Sequence, residues 1–566
     1  MIYCIGCEDL FEDGYTKTSM ESLLLWLKDR TVIAVDTETE GMFDFENRVI
    51  MLQIGDGDNQ FVIDTRSTDV SMLKEIFESD KILKLFWNAK FDMKFLRYTF
   101  GWKTVNVYDG FLVACILTTG LITKELGLEA AVRTYCGVQL DKEERSKFVD
   151  LKGRGFTQRQ IKYGSEDVAY LHKVKEEQEK LVAKYELENT VKLENKFVEV
   201  LYDVEYRGFK LDVSKWKALS NNNKEAHLKA MKIMEDYVLS RSALHAFHDR
   251  QLDLFDSTAK TTIEWSSPSQ VARLLQILGI DTKAVDKKSG QLRDSVEAKH
   301  LKKFEKQFDI IPIYLDYKEK EKLVSTYGDA FLKFVNRRTG RIHSDFWQIL
   351  ETSRISSNRP NMQNIPSDEE TRACFVSQDA HSLVIGDFSS QEPRITADKC
   401  QDSSLIEFFL NGDGDMHSLV STKMYTVINK KETIVTKDNE NKALRQIGKI
   451  LGLKIDYGGS AWTVKDDLGV SQEEAQKFID AYFEGFPGKK KYFKECIAQV
   501  WRDGYIFLNP VTRRRSWCDN FETIKEASKN YDRLSKEERS QYFKRKGSIE
   551  RNAQNYPKMC GVVKSL

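Results

Sequence analysis

LVIGDFSSQEPR, residues Leu383 to Arg394, is the stretch around which the rest of the chain can be arranged. Its apolar opening, Leu383-Val384-Ile385, predicts a short buried strand, and Gly386 lets the backbone pass close to a neighbour. That strand ends on Asp387, where an unpartnered buried charge would be expensive. Glu392, Pro393 and Arg394 follow. An Asp after a strand is commonly a helix cap, so this stretch alone leaves a cap and a functional acid both open. Three other stretches bear on the choice. Upstream lie Thr352-Ser353-Arg354-Ile355-Ser356-Ser357 and Asn361-Met362-Gln363-Asn364-Ile365-Pro366. Downstream, Arg445, Lys449, Leu453 and Tyr457 recur at helical spacing, and Arg551-Asn552-Ala553-Gln554-Asn555-Tyr556-Pro557 comes last.

A chain of 566 residues is too long for one core, so three or four domains are expected. It is 41% hydrophobic and 31% charged, with no apolar run of membrane-spanning length and no signal-peptide pattern at its start. Lys plus Arg and Asp plus Glu both total 87, so bulk charge argues neither for nor against nucleic acid. The nine cysteines form no repeating framework, which suits a reducing cytoplasm; Cys4 and Cys7 make a lone CxxC, weak as a zinc signal.

In residues 1–185, Thr31-Val32-Ile33-Ala34-Val35 predicts a buried strand ending at Asp36, with Glu38 two residues on. Strand alternation puts both carboxylates on one face. Two close carboxylates repel unless a cation lies between them, and oxygen ligands suit Mg²⁺ or Mn²⁺. Further strands are expected at Ile50–Ile54, Phe61–Ile63 and Leu83–Phe86. A helix opens near Asn88 and carries Asp92, and Tyr163 and Asp167 share a helical face four residues apart. Together these motifs resemble the tyrosine-containing DEDD class of proofreading 3′–5′ exonucleases, which have a ribonuclease H-like α/β fold. The resemblance implies that Asp36, Glu38, Asp92 and Asp167 hold two metal ions, that Tyr163 orients the attacking water, and that Asn88 holds the frayed DNA end. Trp87 stands where related sequences often carry His.

Residues 186–345 read as charged helices, broken at Gly208 and by the loop Ser266-Ser267-Pro268-Ser269, with a basic stretch at Lys302, Lys303 and Lys306. From residue 346 onward, the stretches quoted above resemble, in their order, the polymerase region of family A DNA polymerases, especially bacteriophage members. The resemblance implies a helical thumb over 186–345, whose last helix is Lys318–Tyr327, and an incomplete right-handed palm and fingers over 346–566. It implies that Asp387 binds both catalytic metals and that Glu392 closes the sugar pocket; Ser390 departs from the usual glutamine. Arg354, Asn361, Gln363, Arg551 and Asn555 would contact primer–template DNA. His417, in Asp415-Met416-His417, would meet the nucleotide phosphates together with Arg445 and Lys449, and Lys449 would also protonate the leaving pyrophosphate. Tyr457 would stack at the template base. Leu453, replacing a common aromatic, implies discrimination against dideoxynucleotides.

After Pro557 the resemblance stops, before the family's His-Asp-Glu hairpin. The expectation is therefore a DNA polymerase with a proofreading exonuclease, acting in replication or repair on primer–template DNA and deoxynucleoside triphosphates. Two Mg²⁺ or Mn²⁺ ions would serve each site, and synthesis would need a second polypeptide carrying the missing carboxylates. No membrane role is expected; the setting is cytoplasmic, a bacterial host cell if the gene is a phage's. Two alternatives stay open: a stand-alone 3′–5′ exonuclease whose polymerase half only binds DNA, and a non-catalytic scaffold in that half.

Overall fold

The computed structural model describes residues 1–7, 14–42, 45–141, 143–149, 151, 153–248, 261–286, 291–411, 414–438 and 441–563. Residues 564–566, the end of the divergent stretch, lie outside the described residues. The chain divides into two compact units. One comprises Met1–Tyr206, Phe346–Ser356 and Ile385–Leu566; the other comprises Arg207–Asp345 and Ser357–Val384. No described helix is long and apolar enough to cross a membrane.

The first unit opens with seven strands: β1 (Ile2–Ile5), β2 (Tyr15–Lys17), β3 (Val32–Thr39), β4 (Val49–Gly55), β5 (Gln60–Asp64), β6 (Leu83–Phe86) and β7 (Val107–Asp109). They lie in one mixed sheet, ordered β2-β1-β5-β4-β3-β6-β7. β4 runs antiparallel to β3 and β5, and the other neighbours are parallel. Every residue of β4 and β5 is buried, the pattern of strands covered on both faces. β3 shifts register against β4 between Glu38 and Thr39. Irregularities of this kind re-aim side chains and gather near active sites.

Further along this unit, helices Met416–Asn429, Lys442–Asp456, Ala461–Leu468 and Gln472–Gly485 share a core that includes Val420, Met424, Leu451, Ile455, Ile479 and Tyr482. Helix Lys442–Asp456 lies so close to Met416–Asn429 that a Cβ at Gly448 would stand 2.7 Å from the His417 carbonyl oxygen and 3.0 Å from the Ser421 nitrogen. Alanine is intrinsically better than glycine inside a helix by about 1 kcal/mol, but here overpacking against backbone opposes that gain. Gly448→Ala is therefore expected to destabilise the unit by roughly 1–3 kcal/mol, read as a lowered melting temperature; a raised one would contradict this packing.

A hairpin of Tyr505–Phe507 and Arg515–Trp517 shows where Arg513, Arg514 and Arg515 go. A run of three arginines could be read as a phosphate grip, but each has partners within the unit. Arg514 pairs with Glu194, both fully buried, Arg513 pairs with Glu186, and Arg515 donates to the Tyr185 carbonyl.

In the second unit, helices Val213–Leu239 and Ile310–Tyr327 carry a core with Met234, Val238, Tyr314 and Tyr317. The second of these helices contains the expected Lys318–Tyr327 segment. The breaks fall where the sequence puts them. Gly208, at φ 60°, follows the helix Glu188–Arg207, and Pro268 opens the helix Pro268–Ile277.

One expectation is corrected. Leu383-Val384-Ile385 is not a buried strand: it belongs to no strand, and the three side chains are 57%, 96% and 86% exposed. A strand needs a neighbour to satisfy its backbone groups, and no described strand pairs with this run. Asp387 is accordingly exposed as well, rather than standing at the end of a buried element.

Candidate active site

On β3, alternation presents Asp36 and Glu38 to the same side. Helix Gln158–Ala169 brings the third acid. Its start is fixed by a capping box, in which the Thr157 side chain accepts from the Gln160 N–H and the Gln160 side chain accepts from the Thr157 N–H. Its distance from the sheet is set by Gly164, where a Cβ would stand 2.6 Å from Gln53 Nε2 and 2.8 Å from Met51 Sδ on β4. Tyr163 and Asp167, flanking that contact, are both buried. Carboxylate oxygens of Asp36, Glu38 and Asp167 come within 4.8 Å of one another. Among the described residues no other cluster of this kind occurs, and Cys4 and Cys7 do not form one.

Asp92 lies outside that triplet. It is buried on the helix Ala89–Phe100, and its carboxylate accepts from the Thr37 hydroxyl at 2.6 Å, Thr37 being the residue between the two strand acids. Burial pushes the Asp92 carboxyl up to about 7, against the opposing pull of the Thr37 hydrogen bond. Asn88 caps this helix in a left-handed conformation, φ 73°. It is held by Asp109, whose carboxylate accepts from the N–H groups of Asn88 (2.9 Å) and Ala89 (3.0 Å) while capping the helix Gly110–Leu117. Burial pushes Asp109 up to about 6, with those backbone donors acting against it. Asp109 is a positioning residue that sequence reading missed; Asp-Gly before the apolar run Phe111–Leu117 was its available signal.

Farther along the first unit, Arg354 pairs with Glu392, and Glu392 in turn accepts from the Tyr457 hydroxyl at 2.6 Å. Burial and Glu392 push the Tyr457 phenol up to about 12. Asn555 donates to the Tyr457 carbonyl at 3.1 Å from the helix Lys536–Val563, and Gly458 lies close against Arg551 of the same helix. The structure thus joins Arg354, Glu392, Tyr457, Arg551 and Asn555 in one connected patch. Below it, Asp456 is gripped by Lys489 and Tyr482 at 2.7 and 2.9 Å and by Lys558 through its backbone carbonyl. Burial acts to raise the Asp456 carboxyl, but Lys489 and Lys558 outweigh it and hold the group below its usual range.

On the helix Lys442–Asp456, Lys449 and Leu453 are exposed. Arg445 is not open: it forms a two-pronged pair with Asp415, Nε–Oδ2 2.5 Å and Nη2–Oδ1 2.9 Å. His417 is half-buried two residues beyond; burial and the nearby cations Arg445 and Lys449 lower it, with Asp415 opposing. Asn361 and Gln363 belong to the second unit, where Asn361 caps the short turn Met362–Asn364 and Gln363 is exposed.

Comparison with known proteins gives two family matches: DNA polymerase family A over residues 239–557, and 3′-5′ exonuclease over residues 14–183. DNA polymerase I of Chloroflexus aurantiacus is 29% identical over 460 residues, 77% of this chain and 44% of that protein. DNA polymerase I of Borreliella burgdorferi is 25% identical over 538 residues, 91% of this chain and 54% of that protein. The chain thus spans about half the length of these curated relatives. A solved structure, the POL domain of Pol1 from M. smegmatis in complex with DNA primer-template and dNTP, shares the fold. Its TM-score is 0.72 at 22% identity, covering 97% of this chain and 85% of that one.

Proposed function

The chain belongs to DNA polymerase family A and carries a 3′-5′ exonuclease domain, and from that premise we propose that it is a template-directed DNA polymerase, or part of one, that proofreads its own product in replication or repair. The observation that carries this reading is the meeting of Asp36, Glu38 and Asp167 within 4.8 Å; Asp92 is tied to the same strand through the Thr37 hydroxyl. A donor set made only of carboxylate oxygens fits hard divalent cations, Mg²⁺ or Mn²⁺, and Asp36, Glu38, Asp92 and Asp167 would hold two. Bound there, the ions supply an activated water and offset the charge gathering on the terminal phosphate. Tyr163 orients that water, Asn88 holds the frayed 3′ end, and Asp109 fixes Asn88. The test is digestion of end-labelled single-stranded DNA. We expect shortening from the 3′ end that needs Mg²⁺ or Mn²⁺, stops with EDTA and resumes with excess metal. Digestion that resists EDTA would contradict the reading.

For the remainder we assign residues 186–345 as thumb and 346–566 as palm and fingers. Arg354, Asn361, Gln363, Arg551 and Asn555 face primer–template DNA. Glu392, Leu453 and Tyr457 enclose the deoxynucleotide, and His417, Arg445 and Lys449 meet its triphosphate, Lys449 as proton donor to the leaving group. Asp387 is a palm carboxylate that holds the catalytic metals. The setting is cytoplasmic, a bacterial host if the gene is a phage's. The exposure of Asp387 and of the run before it favours one second reading: a 3′–5′ exonuclease whose polymerase half binds DNA without extending it.

A further inference from the structure

Arg445 and Asp415 are 30 residues apart in sequence, yet the carboxylate fills the guanidinium fork with two bonds, at 2.5 and 2.9 Å. A phosphate group takes the same fork in the same way, so the two anions exclude each other. The carboxylate also has partners of its own. It caps the helix Met416–Asn429, accepting from the Ser418 N–H at 3.1 Å and the Ser418 hydroxyl at 2.6 Å. Releasing Arg445 therefore leaves Asp415 hydrogen-bonded, and Arg445 can pass from one anion to the other without either being stranded. The close packing at Gly448 keeps the two helices, and so the two side chains, within reach throughout.

We propose that Asp415 is a resident competitor for Arg445: it holds the guanidinium in place and yields it to an incoming triphosphate, setting how strongly that triphosphate must bind. The inference rests on the reading of Arg445 as a triphosphate contact. Asp415 acts through Arg445 and is a positioning residue. Removing the charge of Asp415 then tightens triphosphate binding only while Arg445 is present, which no purely structural role of the cap reproduces.

The experiment titrates the 566-residue chain with dATP and Mg²⁺ by calorimetry. Asp415→Asn keeps a good helix cap but loses the competing charge, and it should tighten dATP binding roughly tenfold. Arg445→Ala should weaken binding, and in its background Asp415→Asn should no longer matter. Unchanged or weaker binding in Asp415→Asn, with Arg445→Ala still impaired, would overturn the competitor role and leave the nucleotide site standing. Indifference to Arg445→Ala, or no dATP binding at all, would overturn the nucleotide site and this inference together.

Discussion

Replacing Asp36 and Glu38 together by alanine is expected to lower 3′–5′ digestion on the order of 10³-fold, about 4 kcal/mol of transition-state stabilisation. The size follows from what is removed. Two of the three acids that meet within 4.8 Å go at once, and Asp167 with the outlying Asp92 cannot retain a pair of divalent ions. The fold should survive the change. Both residues sit on β3, whose pairing with β4 runs through backbone groups. At an effective dielectric of about 20, two unit charges about 5 Å apart repel by about 3 kcal/mol, less once solvent screening is counted. Relief of that repulsion should hold the melting temperature level or raise it, and DNA binding should remain measurable. Equal digestion by mutant and wild type would remove the carboxylates from the mechanism. A collapsed melting temperature would instead make them structural.

The exonuclease half was readable because its acids sit at positions that local geometry fixes. An i, i+2 pair on a strand and an i, i+4 pair on a helix must share faces, and Asp36, Glu38, Tyr163 and Asp167 do so. Gly164 and Asp109 were missed, since their work lies in contacts with β4 and with Asn88 that no local spacing encodes. The polymerase half was less legible for a related reason. Arg445 is visible as a helix-face cation, but its carboxylate partner comes from another helix. Arg513–Arg515 look like a charged surface until Glu186, Glu194 and Tyr185 are placed beside them. Leu383-Val384-Ile385 failed differently. Its composition is right for a strand, yet strand formation depends on a partner's backbone, which one segment's sequence cannot supply.

That same run underlies the second large effect. It leads into Asp387, and Asp387→Ala is expected to lower primer extension on the order of 10³-fold. Two-metal nucleotidyl transfer places carboxylates on both sides of the metal pair, because the attacking and leaving oxygens both gather negative charge. Asp387 can serve one side. Glu392, five residues on, is engaged with Arg354 and the Tyr457 hydroxyl. Glu550 accepts from Trp501 Nε1 at 3.1 Å and stands 4.0 Å from Lys546. Neither is disposed to leave those partners for a metal. Asp387, by contrast, is exposed together with the run Leu383-Val384-Ile385 before it. Undiminished extension by Asp387→Ala would remove this carboxylate from nucleotidyl transfer, and a melting temperature lowered along with the rate would make the residue structural.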